Sequence, residues 1–316
     1  MRISSTMMFD RNIQSMQNKE GEYNKAYEKV ITQQNISRPS DDPYGAARLV
    51  DLDREQSTAD QFSKTRTTMQ TQLSLQENAL SGANSALQDI RTTLIAAGNG
   101  TSSDADRASY AQSIEGSMQS LMSAAKTRDG NGNYIFSGYQ SEKPPFELDD
   151  TTLALKTDDS GNTYQGGSQS MAYRIDNDRT VDGTGTADEI FTTGGKNGKN
   201  LFSELKGIID ALRTPDAQRD PSQKLTDVLD EGIRTVDAGS DNILATRATG
   251  GTRLNEIDAL NTQSSLRGES LQEEINNLRY TDFAEVMSEL SYRQTAYEAS
   301  LKATSMMGKT SLLDMV

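Results

Sequence analysis

The sequence predicts a mainly α protein: an elongated multi-helix coiled-coil bundle formed by both chain ends, with a small β domain inserted between them. Three observations carry that prediction. Apolar residues recur on an alternating 4–3 stride over most of the chain, which is the period of a helical seam. The apolar inventory is thin, at 34% hydrophobic and 6% aromatic residues over 316 positions. A thick core cannot be filled from it, whereas a helix–helix seam needs an apolar residue only about twice per heptad. Finally, turn dipeptides gather in one central stretch and are sparse on either side of it.

The first helix carries Phe9, Ile13, Met16, Tyr23, Tyr27 and Val30 on the stride, with Glu20 as its polar interruption. It ends around 33–40, where Arg38-Pro39-Ser40-Asp41-Asp42-Pro43 reads as a break. Each proline pushes the residue before it away from the helical region. Asp42 is placed to cap the next helix, with Pro43 at its first position, where a missing N–H costs nothing.

The second helix holds one heptad register from Leu52 through Phe62, Met69, Leu73, Leu80, Leu87, Ile90 and Leu94 to Ala97. Glu55, Arg66 and Gln76 occupy polar steps in that register. A stretch of roughly 55 residues would reach about 80 Å. It stops at Gly98-Asn99-Gly100, and Ser103 with Asp106 resembles a capping box for a third helix carrying Ala111, Ile114, Met118, Leu121 and Ala125.

From about Asp129 the character changes. Asp129-Gly130, Ser160-Gly161 and Asp182-Gly183 are turn dipeptides separating short β-type pieces at Tyr134–Phe136, Leu153–Leu155 and Met171–Ile175. A small Gly/Asp/Thr-rich β domain over about 140–195 is the expectation, with a structureless loop as the competing reading. Helical spacing resumes at Leu201, Leu205, Ile208, Ile209 and Leu212, and runs on from Val236 to Leu278. The last helix places Phe283, Val286, Leu290, Tyr297 and Leu301 on a seam, then loosens near Met307-Gly308.

Charge and composition exclude several functions. The formal net charge of -14 leaves no basic stripe for nucleic acid and disfavours an anionic membrane surface. No run of about 18 apolar residues is present to span a bilayer. The chain has no His, Cys or Trp, so the commonest general base, the thiolate ligands and the thiol nucleophile are all missing. Asp129, Asn131 and Asn133 imitate half an EF-hand loop, but Tyr134 stands where Gly is needed and Gln140 where a bidentate Glu should sit. Gly198-Lys199-Asn200 lacks the Ser/Thr of a phosphate loop, and Gly183-Thr184-Gly185 has no third glycine. The acid pairs Asp41/Asp42 and Asp149/Asp150 read as caps and turns. No enzyme, cofactor or metal is expected.

Ser37–Leu49 (SRPSDDPYGAARL) resembles the segment after the first helix in the flagellin superfamily. Ala96–Arg107, Gly130–Phe146 (GNGNYIFSGYQSEKPPF), the opening MRISSTMM and Thr281–Met307 resemble its hook–filament junction branch. The resemblance runs end to end except in about 147–195. It implies a structural subunit of a homo-oligomeric ring in the bacterial flagellum. Its implied partners are hook-associated protein 1, flagellin, the filament cap protein during assembly, and an export chaperone at the C-terminal region. It also implies export by the flagellar type III apparatus, and Met1–Asn12 lack the charged and apolar regions of a cleaved secretory signal. A flagellin-type filament subunit is the alternative, and an unrelated type III secreted coiled-coil protein a more distant one.

The expected organisation is therefore terminal coiled-coil helices at 1–42 and 280–316, a central helical bundle at 43–142 and 196–279, and a β-rich insert at 143–195. The two terminal seams are thin and polar-interrupted, so burial against neighbouring subunits should be coupled to their ordering.

Overall fold

The structure, a computed structural model, describes residues 2–99, 102–149, 152–157, 161–193, 199–215, 218 and 224–313. Among them the chain forms seven α-helices: α1 (Arg2–Thr32), α2 (Pro43–Ala97), α3 (Asp104–Ala125), α4 (Ala187–Phe191), α5 (Leu201–Arg213), α6 (Leu225–Arg279) and α7 (Phe283–Leu313). Two short antiparallel ribbons lie between helices, β1 (Ala172–Asp176) with β2 (Arg179–Asp182), and β3 (Thr192–Thr193) with β4 (Lys199–Asn200). The protein is mainly α with an inserted β element, as the stride and the turn cluster predict.

Helix limits follow local chemistry. The α3 capping box is complete, with Ser103 Oγ accepting from the Asp106 N–H while the Asp106 carboxylate accepts from the Ser103 N–H. Asn200 Oδ1 caps α5 through the Phe202 N–H at 3.0 Å, and Asp282 Oδ1 caps α7 through the Ala284 N–H at 2.8 Å. The expected loosening at Met307-Gly308 does not occur, and α7 continues to Leu313. One helical glycine costs only about 1 kcal/mol and does not by itself end a helix.

The chain divides into two compact units, one built from both ends (Met1–Asp60 with Ser264–Val316) and one from Gln61–Gln263. The expected boundaries at 42/43 and 279/280 are therefore displaced into α2 and α6. The cause is a small cluster in which Leu49 and Leu52 of α2 are buried with Leu271 and Ile275 of α6, flanked by Ile36 and Leu278. These residues bind the start of α2 and the end of α6 into the end-built unit.

The second unit holds the large core. α3 packs against α5, and Leu87, Ile90, Ile114, Leu121, Leu205, Ile209 and Ile243 are all fully buried in one cluster drawn from α2, α3, α5 and α6. Among the described residues, segment 143–195 has no separate core of its own. Phe146, Ala187, Ile190 and Phe191 lie in that same large cluster, and the Phe202 ring sits 5.3 Å from Phe146 and 5.5 Å from Phe191. The strands expected at Tyr134–Phe136 and Leu153–Leu155 reduce to single bridges, Arg128 with Tyr134 and Leu148 with Leu155. Each bridge keeps its own pair of backbone bonds, Asp129 N–H to Asn133 O with Ile135 N–H to Thr127 O, and Asp149 N–H to Ala154 O with Lys156 N–H to Glu147 O. Among the described residues neither extends into a longer ladder. The apolar triplet Tyr134–Phe136 is core-filling loop, buried at all three positions. The EF-hand look-alike is a turn in which Asp129 Oδ1 accepts from the Asn131 and Asn133 N–H groups, each at 2.9 Å.

Candidate assembly surface

α1 and α7 pack on one another. The chain leaves α1 through Gln33, at φ 55, and the next residues meet the α6–α7 junction. Gln34 and Tyr280 form an antiparallel bridge, with the Asn35 N–H donating to Arg279 O at 2.8 Å and the Thr281 N–H to Gln33 O at 3.3 Å. The end of α1 is thus tied to the start of α7, so the two helices run antiparallel. Further along, Tyr23 stacks on Tyr297 with centroids 6.0 Å apart and on Tyr27 at 6.1 Å. Arg293 donates to Glu22 across the pair, and Lys19 reaches the same carboxylate at 2.9 Å. The Lys19 hydrogen bond, with the Arg293 charge adding to it against a smaller opposing effect of burial, holds the Glu22 carboxyl below the ordinary glutamate range.

This seam covers only one edge of each predicted stripe. Val286 is buried, and Ile13, Met16, Tyr23, Val30, Leu290 and Tyr297 are half-buried. Tyr27, Phe283 and Leu301 remain 49%, 56% and 41% exposed. The side chain of Phe9 lies outside the described residues. The helical period explains the split. On α1 the positions facing α7 centre on Ala26 and Val30, and Tyr27 stands about 100° round from Ala26. On α7, Phe283 and Leu301 are displaced in the same rotational sense from Val286. Because the helices are antiparallel, equal rotations of the same sense bring both open edges to one side of the pair.

Two residues of that open edge lie outside the heptad reading, Ile31 at 64% and Met287 at 42% exposure. Each follows a seam residue by four, Tyr27 and Phe283, and that i,i+4 spacing was the signal available for them. A 4–3 seam is narrower than the stripe these helices carry. Across the described residues, twelve of the fifteen exposed large apolar side chains belong to the unit built from the chain ends. By contrast, only Ala26, Leu49, Leu52, Leu271, Ile275 and Val286 of that unit are among the thirty-nine buried apolar residues.

The break between α1 and α2 is held by its own side chains. Asp42 Oδ1 accepts from the Tyr44 N–H at 3.1 Å and the Gly45 N–H at 3.0 Å, and Pro43 is the first residue of α2. Pro39 lies in a turn that Asp41 closes by accepting from the Arg38 N–H at 2.9 Å. Arg38 in turn pairs with Glu28 of α1 at 3.0 Å. At Gly45 the backbone comes close to neighbouring side chains, and a Cβ there would displace the tips of Asp42 and Ile36, which lie 2.4 Å and 2.6 Å from its position.

Paired chain ends with an uncovered apolar side, in a chain whose other unit is already well buried, define a class of protein, the helical assembly subunit. Comparison with known proteins makes the class specific. Residues 3–141 match the bacterial flagellin N-terminal helical region. The chain is 33% identical over 326 residues to the flagellar hook-associated protein 3 of Salmonella typhimurium, covering 100% of this chain and 99% of that relative. The Escherichia coli protein of the same name matches at 33% with the same coverage. In fold, it is similar to the solved hook-associated protein 3 of Legionella pneumophila, with a TM-score of 0.61 at 16% identity over 72% of this chain and 98% of that one. The chain belongs to the flagellar hook-associated protein 3 family, and it is a structural protein of the bacterial flagellum.

Proposed function

We propose that this chain seats between hook and filament by burying the open side of its α1–α7 pair against neighbouring subunits. The observation that carries the reading is the concentration of exposed large apolar residues on the end-built unit. Tyr27, Ile31, Phe283, Met287 and Leu301 fall on one side of the α1–α7 pair, and exposed apolar surface gathered in this way marks an interaction site. The hook-associated names of the relatives support the position at the hook, and a ring of copies with hook-associated protein 1 on one side and flagellin or the filament cap on the other is its natural setting. Export through the flagellar type III apparatus, with a chaperone holding the C-terminal region, completes the reading. The seam residues of 1–42 and 280–316 order fully when that burial is complete.

The test charges residues that are already in water. An Ile31→Glu, Met287→Glu double variant leaves the monomer folded, at about 0.5 kcal/mol or less per substitution, because exposed positions tolerate polar groups. Incorporation should nonetheless fail, since the two carboxylates would be buried unpaired in the assembly. Circular dichroism checks the fold, and complementation of a strain lacking the protein checks motility. Full motility with this variant would exclude the open side as the contact.

A further inference from the structure

Segment 172–185 lies against both long helices of the second unit. We propose that the β1–β2 hairpin is a clip that closes the α2–α6 seam at a level where the two helices lack enough apolar residues to close it themselves.

The seam at this level holds four buried residues, Met69 and Leu73 of α2, Ile257 of α6, and Ile175 of β1. The hairpin therefore supplies one of the four, and Ile175 is its single fully buried side chain. Above and below, α2 presents two buried polar residues, Arg66 at 3% and Gln76 at 2% exposure. Buried polar groups persist only when partnered. Arg66 Nε donates to Asn261 Oδ1 of α6 at 2.7 Å, and its Nη1 donates to the Ile175 carbonyl at 3.0 Å. Gln76 Oε1 accepts from the Gly185 N–H at 3.1 Å. From the other helix, Arg253 Nη1 donates to the Gly183 carbonyl at 2.6 Å. One guanidinium thus joins α2, α6 and the hairpin, and the backbone just after β2 is held by both helices.

Without the hairpin, Arg66 would lose a partner for a buried charge and Met69, Leu73 and Ile257 would face a gap. Either change raises the free energy of the closed seam. The two helices should therefore open locally with the hairpin, as one unit.

Native-state hydrogen exchange on the unaltered full chain tests this directly. The clip requires residues 172–182, 66–76 of α2 and 253–261 of α6 to share one opening event with a common denaturant slope. In Arg66→Met and Ile175→Ser variants those three segments should exchange about tenfold faster or more. Residues 83–94 of α2 should keep their protection. An Arg91→Met control removes an α2–α6 ion pair with Asp237 that has no hairpin contact, and should leave the three segments unchanged. Faster exchange confined to 172–182 would make the hairpin a passenger and overturn the proposal. Uniform acceleration across the whole unit would overturn it too, since a clip acts at its own level.

Discussion

Gly138 shows how a sequence motif acquires a physical reason at the level of one residue. It sits at φ +55, and a Cβ there would lie 2.3 Å from the Gln169 carbonyl oxygen and 3.0 Å from that of Gly167. Both obstacles are backbone and cannot rotate away. The left-handed conformation alone costs a non-glycine residue about 1–3 kcal/mol, and the collision adds to it. Gly138→Ala should therefore lower the melting temperature of the second unit by at least ~2–4 °C per kcal/mol lost. A calorimetric scan that matches the parent would remove the close approach as a constraint. The surrounding polar groups make the site cooperative. The Tyr164 hydroxyl lies 2.9 Å from the Gly167 carbonyl and 3.2 Å from that of Phe136, while the Ala187 N–H donates to Phe136 O at 2.8 Å. Burial pushes the Tyr164 phenol well above its ordinary range, so it stays neutral and a donor.

Among the elements, legibility tracks whether a residue meets a sequence-local or a distant partner. The ends of α2 and the capping box of α3 are written in adjacent residues: Asp42-Pro43, Gly98-Asn99 and the pair Ser103 and Asp106 place them. The polar steps at Arg66 and Gln76 look like flaws in a two-helix seam. They are contacts to the hairpin at Ile175 and to the backbone just after it at Gly185, each 109 residues away in sequence, which no periodicity encodes. Glu55, the third polar step, instead pairs with Arg267 within the end-built unit. The α1–α7 pair carries a pH dependence that follows from Glu22. Its carboxyl is lowered by Lys19 first and Arg293 after, so its stabilising contribution is present above the ordinary glutamate value. That contribution is lost as the pH falls through the lowered one. With no histidine in the chain, no side chain of ordinary pKa titrates between about pH 5 and 8. Helicity of the α1–α7 pair should thus be flat from pH 6 to 8 and fall below about pH 4. A Glu22→Gln variant should show a shallower fall. Identical acid profiles for variant and parent would remove Glu22 from the account.

For the whole molecule, the uneven distribution of buried apolar area decides how the monomer responds to a protease. Cleavage needs a segment to open, and the free energy of opening follows the area that opening exposes. Among the described residues, the end-built unit contributes six of the thirty-nine buried apolar residues and twelve of the fifteen exposed large ones. The unit Gln61–Gln263 holds the phenylalanine cluster and the full large core. Limited proteolysis of the monomer should therefore trim both ends first and leave a resistant fragment close to 61–263. That fragment is shorter than the 43–279 expected from helix ends alone, because residues 43–60 and 264–279 share their small cluster with the chain ends. The hairpin should survive within it, held by Arg66 and Arg253. After assembly the same cleavage sites should become protected, since the open side of α1 and α7 is then covered. Mass spectrometry of the two digests separates the outcomes. Early cuts inside 61–263 with the ends intact would mean that the buried area does not set the order of opening, and that the chain ends are stable before they meet a neighbour.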